Sequence, residues 1–205
     1  MVCSNCKQEG HTKSKCPGLT TPKEDCTIAI DLSEEVVAKL MKLKGICYDV
    51  FTELKKGHEE KVYQEGLCVE LQQLGIQFTS EEPMPIMYKG APLSGAHTLR
   101  LDVILRSYLP FIFELKAIRD ALGPVHYWQV LRYMDYKKCD LGAVVNFTKS
   151  EAANAGLEIQ FVVKHAGAPY VYDLKSGRGT PIPSSAPPLE TEVAAIAPLP
   201  DSPRE

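Results

Sequence analysis

The chain has 205 residues, 44% of them hydrophobic, and a net charge of -3. That length suits one good-sized domain with appendages, and the charge does not by itself advertise a nucleic-acid binder. No apolar run approaches the roughly 20 residues that cross a bilayer, so no membrane partner is expected. The first residues, Met1-Val2-Cys3-Ser4-Asn5-Cys6, lack the apolar region of a signal peptide. An intracellular protein, nuclear or cytoplasmic, is the expectation. Its seven cysteines should then be thiols and metal ligands rather than disulfides.

Composition divides the chain into residues 1–26, 27–175 and 176–205. The first region is short, rich in Cys and Lys, and nearly without large apolar groups. Cys3, Cys6, His11 and Cys16 have the spacing C-x2-C-x4-H-x4-C. Three thiolates and one imidazole make a closed tetrahedral Zn2+ site, and the metal would supply most of the folding energy of so short a segment. The motif resembles the CCHC zinc knuckle. That resemblance implies binding of single-stranded nucleic acid. The positions where knuckles usually carry stacking aromatics hold Ser4 and Thr12, which leaves Lys7, Lys13 and Lys15 for phosphate contact. A knuckle that docks a protein partner, or merely caps the domain, is the other reading.

The middle region carries the periodic signal. Ser33 is a plausible N-cap, with Glu34 and Glu35 in the favourable first turn, and a helix is predicted to about Leu54. Gly57 breaks it. A second helix is predicted from about Glu59 to Leu74, with Tyr63, Leu67, Leu71 and Leu74 on one stripe. Strands are predicted near 76–82, 84–89, 98–106 and 110–118. Pro124 starts a helix reaching about Lys138. A buried strand follows at Leu141–Phe147, then two weaker ones near 158–164 and 169–173. This order predicts an α/β or α+β fold, a central mixed sheet flanked by helices. From Ser176 onward Pro, Ala, Ser and Glu dominate, which predicts a disordered tail.

The strongest chemical signal is a hairpin. Asp102 lies in Arg100-Leu101-Asp102-Val103-Ile104-Leu105, and Glu114-Leu115-Lys116 ends the next strand. If the turn closes about Tyr108, Asp102 faces Glu114, and Lys116 shares their side of the sheet. Leu101, Val103, Leu105, Phe111, Phe113 and Leu115 then form the opposite, core-facing side. Two carboxylates roughly 5 Å apart should repel. A hard divalent cation, Mg2+ or Mn2+, would offset that repulsion and retain water for chemistry. The lysine would steady developing charge. Two acids and a lysine in this arrangement are what metal-assisted phosphodiester cleavage needs.

Further residues join this set in order: Gly57-His58-Glu59-Glu60-Lys61-Val62-Tyr63, which contains G-x-x-E-x-x-Y; Gln129 on the helix after the lysine strand; and Leu141-Gly142-Ala143-Val144-Val145-Asn146-Phe147. Together they resemble the GxxExxY proteins of the PD-(D/E)XK nuclease-like superfamily, from about Gly45 to Phe147. The resemblance implies a restriction-endonuclease-like core that hydrolyses DNA or RNA. It implies that Asp102 and Glu114 bind magnesium and that Lys116 activates or orients the attacking water. Glu60 would be an outer metal ligand, and Gln129 would position water, Lys116 or a phosphate. Tyr63 would pack or hydrogen-bond beneath the site, or else simply pack in the core.

The rival reading is an inactive module on the same fold that binds nucleic acid or assembles with protein, docking through the knuckle or the Pro-rich tail. His58 and His126 flank the site in sequence but read first as structural or solvent-facing. Arg100, Arg106, Arg119 and Arg132 either line a substrate groove or are scattered surface charges. Cys26, Cys47, Cys68 and Cys139 show no second ligand spacing.

Overall fold

A computed structural model describes residues 27–89, 91–93, 98–149 and 156–183. The elements run β1 (Ile28–Ala29), α1 (Glu34–Leu54), α2 (Glu60–Gln73), β2 (Phe78–Pro85), β3 (Met87–Tyr88), β4 (Ala91–Pro92), β5 (Thr98–Leu105), β6 (Phe111–Lys116), α3 (Pro124–Lys137), β7 (Leu141–Phe147), β8 (Leu157–His165), β9 (Ala168–Asp173) and β10 (Arg178–Pro181). The Cys3–Cys16 motif, its three lysines and Cys26 lie outside the described residues.

Helix α1 starts where its chemistry says it should. Ser33 Oγ accepts a hydrogen bond from the Val36 amide (3.3 Å), and Glu34 and Glu35 occupy the positive end of the helix dipole. Leu40, Leu43, Ile46, Cys47 and Val50 are buried at helical spacing. Tyr63, Leu67 and Leu71 form the matching stripe of α2. Leu74, expected to extend it, lies beyond the last helical residue and is exposed. The two helices approach closely at Gly66, where a Cβ would stand 3.0 Å from Leu54 Cδ1 and 3.2 Å from Val50 Cγ1.

Eight strands form one sheet in the order β1-β10-β9-β8-β7-β6-β5-β2. Every pairing is antiparallel except β6 with β7, which α3 connects as a crossover. The α1–α2 pair covers one face of the sheet over Val103, Leu105, Phe111, Phe113, Leu115 and Val145. Helix α3 covers the other over Ile104, Ile112, Val144 and Val162. The observed fold is thus the expected mixed α/β sheet flanked by helices.

Three features differ from expectation. The segments predicted as separate strands at 76–82 and 84–89 are one strand, β2, followed by a small β3–β4 hairpin. Pro83 and Pro85 do not interrupt β2 because it is an edge strand with one unpaired side. Leu101 packs on the α3 side rather than with Val103. The β2–β5 ladder omits the Glu81–Asp102 step, and Glu81 has a left-handed backbone (φ 55°), so side-chain alternation resets there. The third difference is at the C-terminal side, where the composition from Ser176 onward predicts no structure. Instead β10 pairs Gly179 with Tyr172 of β9 and with Ile28 of β1, and Ile182 is buried. Gly179 permits this pairing: a Cβ there would lie 2.3 Å from Ile30 Cδ1 and 2.9 Å from Tyr170 Cβ.

Candidate active site

The β5–β6 hairpin pairs Val103 with Phe113, Ile104 with Ile112 and Leu105 with Phe111. This register is centred on Tyr108, and continued one step it sets Asp102 opposite Glu114. The backbone ladder opens at that step. Asp102 Oδ2 takes up the freed donor, accepting from the Leu115 amide at 2.7 Å. The Asp102 carbonyl accepts from Gln64 Nε2 (3.0 Å), whose amide also donates to Glu81 Oε1 (2.8 Å). A break in the sheet, held open by side chains, therefore places the aspartate.

Glu114 is 1% exposed, and its Oε1 is ion-paired with Lys116 Nζ. Its Oε2 is buried and has no hydrogen-bond partner. Leaving a carboxylate oxygen buried and unpaired is costly. Burial, then the neighbouring Asp102 charge, push the Glu114 carboxyl up to about 8 against the pull of Lys116. Burial also pushes Asp102 up to about 6, opposed by the Leu115 amide and reinforced by the Glu60 charge. On Lys116, burial favours the neutral amine, but Glu114 and the charges of Glu60 and Asp102 outweigh it and raise its pKa. The lysine is a fixed cation at neutral pH. Asp102, Glu114, Glu60 and Glu81 thus share a field that holds one ammonium.

Glu60 stands in the first turn of α2. It reaches the site electrostatically, but among the described residues no three His, Cys, Asp or Glu side chains gather closely enough to hold a metal ion. The Glu60 charge nevertheless acts on Asp102, Glu114 and Lys116 alike. The donor chemistry of the pair suits a hard divalent ion. Mg2+ is commonly held by one or two carboxylates, with water and substrate phosphate oxygens completing its shell. The orphaned Glu114 Oε2 is the atom such an ion would satisfy.

Gln129 lies on α3, and its Nε2 donates to Tyr133 Oη at 3.2 Å. Tyr133 is 1% exposed and feels the charges of Glu114, Asp102 and Lys116. The sequence reading missed Tyr133 and Gln64. Each lies four residues after a singled-out residue, Gln129 and Glu60, on the same helix face, which was the available signal. Asn146 is buried at the end of β7. It accepts from the Ile118 amide (3.0 Å) and donates to the Asp120 carbonyl (3.1 Å), tying down the chain after Lys116.

Tyr63 is fully buried and takes the core-packing course. Its hydroxyl donates to the Lys55 carbonyl (2.7 Å), and its ring stacks on Phe147 with centroids 4.3 Å apart. It fastens the α1–α2 turn to the core. His58 Nε2 lies 3.0 Å from the Leu54 carbonyl, and His126 Nδ1 accepts from the Gly123 amide (2.9 Å) at the start of α3. Arg106 binds Glu82 (2.8 Å), and Arg100 lies 3.9 Å from Glu81. Cys47, Cys68 and Cys139 are free thiols; burial pushes Cys47 up to about 12.

A helix-flanked mixed sheet carrying an aspartate, then a glutamate and lysine two residues apart, defines a nuclease-like protein. The family model described as the PD-(D/E)XK nuclease superfamily matches residues 37–158. The chain belongs to the PD-(D/E)XK nuclease superfamily. No curated protein and no solved structure matches the chain. No helix among the described residues is long and apolar enough to cross a membrane.

Proposed function

We propose that this protein is a Mg2+- or Mn2+-dependent nuclease that hydrolyses phosphodiester bonds of DNA or RNA. The observation that carries the reading is the buried Asp102–Glu114 pair, with one carboxylate oxygen unpartnered and Lys116 fixed beside it. Asp102 and Glu114 would hold the ion. When bound there, it supplies Lewis-acid stabilisation of charge developing on the phosphate. Lys116 Nζ, held in its charged form, donates to a phosphate oxygen or to the attacking water. Gln129, oriented by Tyr133, leaves its Oε1 to accept a hydrogen bond from that water. Glu60 would act as an outer ligand, directly or through water. The segment Gly57–Tyr63 supports placing the chain among GxxExxY proteins. The Cys3, Cys6, His11, Cys16 set supports a zinc knuckle whose Lys7, Lys13 and Lys15 hold strands near the active site and raise their local concentration.

The test is cleavage of labelled single- and double-stranded DNA and RNA with Mg2+ or Mn2+, beside Glu114→Ala and Lys116→Ala. Metal-dependent cleavage absent from Glu114→Ala and lowered roughly 10²–10³-fold in Lys116→Ala is expected. A folded, metal-loaded protein that cleaves none of these polymers overturns the enzyme reading in favour of an inactive binding or assembly module.

A further inference from the structure

On α3, Gln129, Arg132, Tyr133 and Tyr136 follow at spacings of three and four, so they form one stripe along the helix. Its first part, Gln129 and Tyr133, belongs to the candidate active site. Its continuation, Arg132 and Tyr136, lines a groove of about 330 Å³ whose other wall is Met84, Met87 and Leu99. Leu99 precedes Asp102 by three residues on β5, so the groove and the acids share that strand as well as α3. Arg132 makes no salt bridge among the described residues. Tyr136 is 43% exposed. Lys137 Nζ lies 5.0 Å from its centroid and is itself tied to Glu82, which braces the ring. At the groove's lip the β3–β4 hairpin exposes Met87 and Tyr88, with Lys89 Nζ 5.4 Å from the Tyr88 ring.

An apolar slot with an aromatic wall and an unpaired guanidinium suits a ligand with flat apolar faces and a negative backbone. Duplex bases are stacked inside the helix and present only their edges, whereas an unpaired base can enter the slot and stack. We propose that this groove holds an unpaired nucleobase next to the scissile phosphate, making single-stranded nucleic acid, or a single-stranded segment adjoining a duplex, the preferred substrate. Tyr136 and Met87 receive the base, and Arg132 holds the adjacent phosphate. The proposal rests on the nuclease reading for its register, but its binding is read without catalysis.

The test uses the full chain carrying Lys7→Ala, Lys13→Ala and Lys15→Ala, so that strand binding there does not mask the groove. Fluorescein-labelled oligodeoxythymidine of about ten nucleotides, a duplex of equal length and a polyglutamate peptide are titrated with Ca2+ in place of Mg2+. Tyr136→Ala and Met87→Glu are expected to weaken single-strand binding roughly tenfold or more. Duplex binding should stay within about twofold. Tyr136→Phe, which keeps the ring, should bind like the parent. Single-strand affinity unchanged in Tyr136→Ala and Met87→Glu overturns the proposal, as does a groove-dependent preference for the acidic peptide. Cleavage in Mg2+ is scored separately. Cleavage without any effect of the groove variants sinks the groove alone, whereas Tyr136-dependent binding by a protein that cleaves nothing sinks the nuclease reading alone.

Discussion

Glu114 is where local chemistry is most constrained. One oxygen meets Lys116, the other meets nothing, and Asp102 stands on the neighbouring strand. Replacing it with Gln keeps the shape and removes the charge. Glu114→Gln should therefore abolish metal-dependent cleavage while making the metal-free protein more stable than wild type at pH 8. Thermal unfolding in the absence of metal, run beside the cleavage assay, checks both halves. Lys116→Ala should lower kcat by roughly 10²–10³-fold, the size seen when one electrostatic stabiliser is removed. Tyr133→Phe removes only the acceptor that orients Gln129. A single hydrogen bond contributes about 1 kcal/mol, so kcat should fall several-fold with KM little changed, a split that steady-state kinetics resolves.

At the level of elements, the site depends on where the β5–β6 ladder ends and how the adjacent strands are held. Gln64 and Glu81 fill the break at Asp102, so α2 and β2 position an acid that neither of them carries. The far side of the sheet depends on β10. Arg178 Nε donates to Thr27 Oγ1, and its terminal nitrogen donates to the Thr27 carbonyl, both at 2.8 Å. Gly179 gives Ile30 room to be buried. Gly179→Val should destabilise the domain by about 1–3 kcal/mol through overpacking, read as a lower urea midpoint. The hairpin register about Tyr108 was legible because both strands alternate cleanly and share a short turn. The reset at Leu101 was not, because it follows from a left-handed residue on a different strand.

Across the whole molecule, the acid pair links stability to pH and to metal. The folded state raises Asp102 from 3.8 to about 6 and Glu114 from 4.5 to about 8. It therefore binds more protons than the unfolded chain across that interval. Stability from this pair is fully present at low pH, below the unfolded values, and is lost as pH rises through about 6 and then about 8. The metal-free protein should lose thermal stability between pH 6 and pH 8, and Mg2+ should raise Tm more at the upper end, where both acids are ionised to receive it. Differential scanning calorimetry with and without Mg2+ at both pH values measures this. An equal metal effect at both would contradict it.

The sequence by itself determined the three main helices, the strands that become β6 and β7, and the gathering of Asp102, Glu114 and Lys116 on one hairpin. All of these follow from periodicity and spacing, which are local properties of the chain. Only the tertiary structure decided that Tyr133 accepts from Gln129 within the field of the acids, that Tyr63 serves the α1–α2 turn, and that a Pro-rich stretch contributes β10. The unpartnered oxygen of Glu114 also belongs to this second group. Burial, solvation and long-range pairing depend on which distant segments close over a residue, and no pattern within its own strand or helix records that.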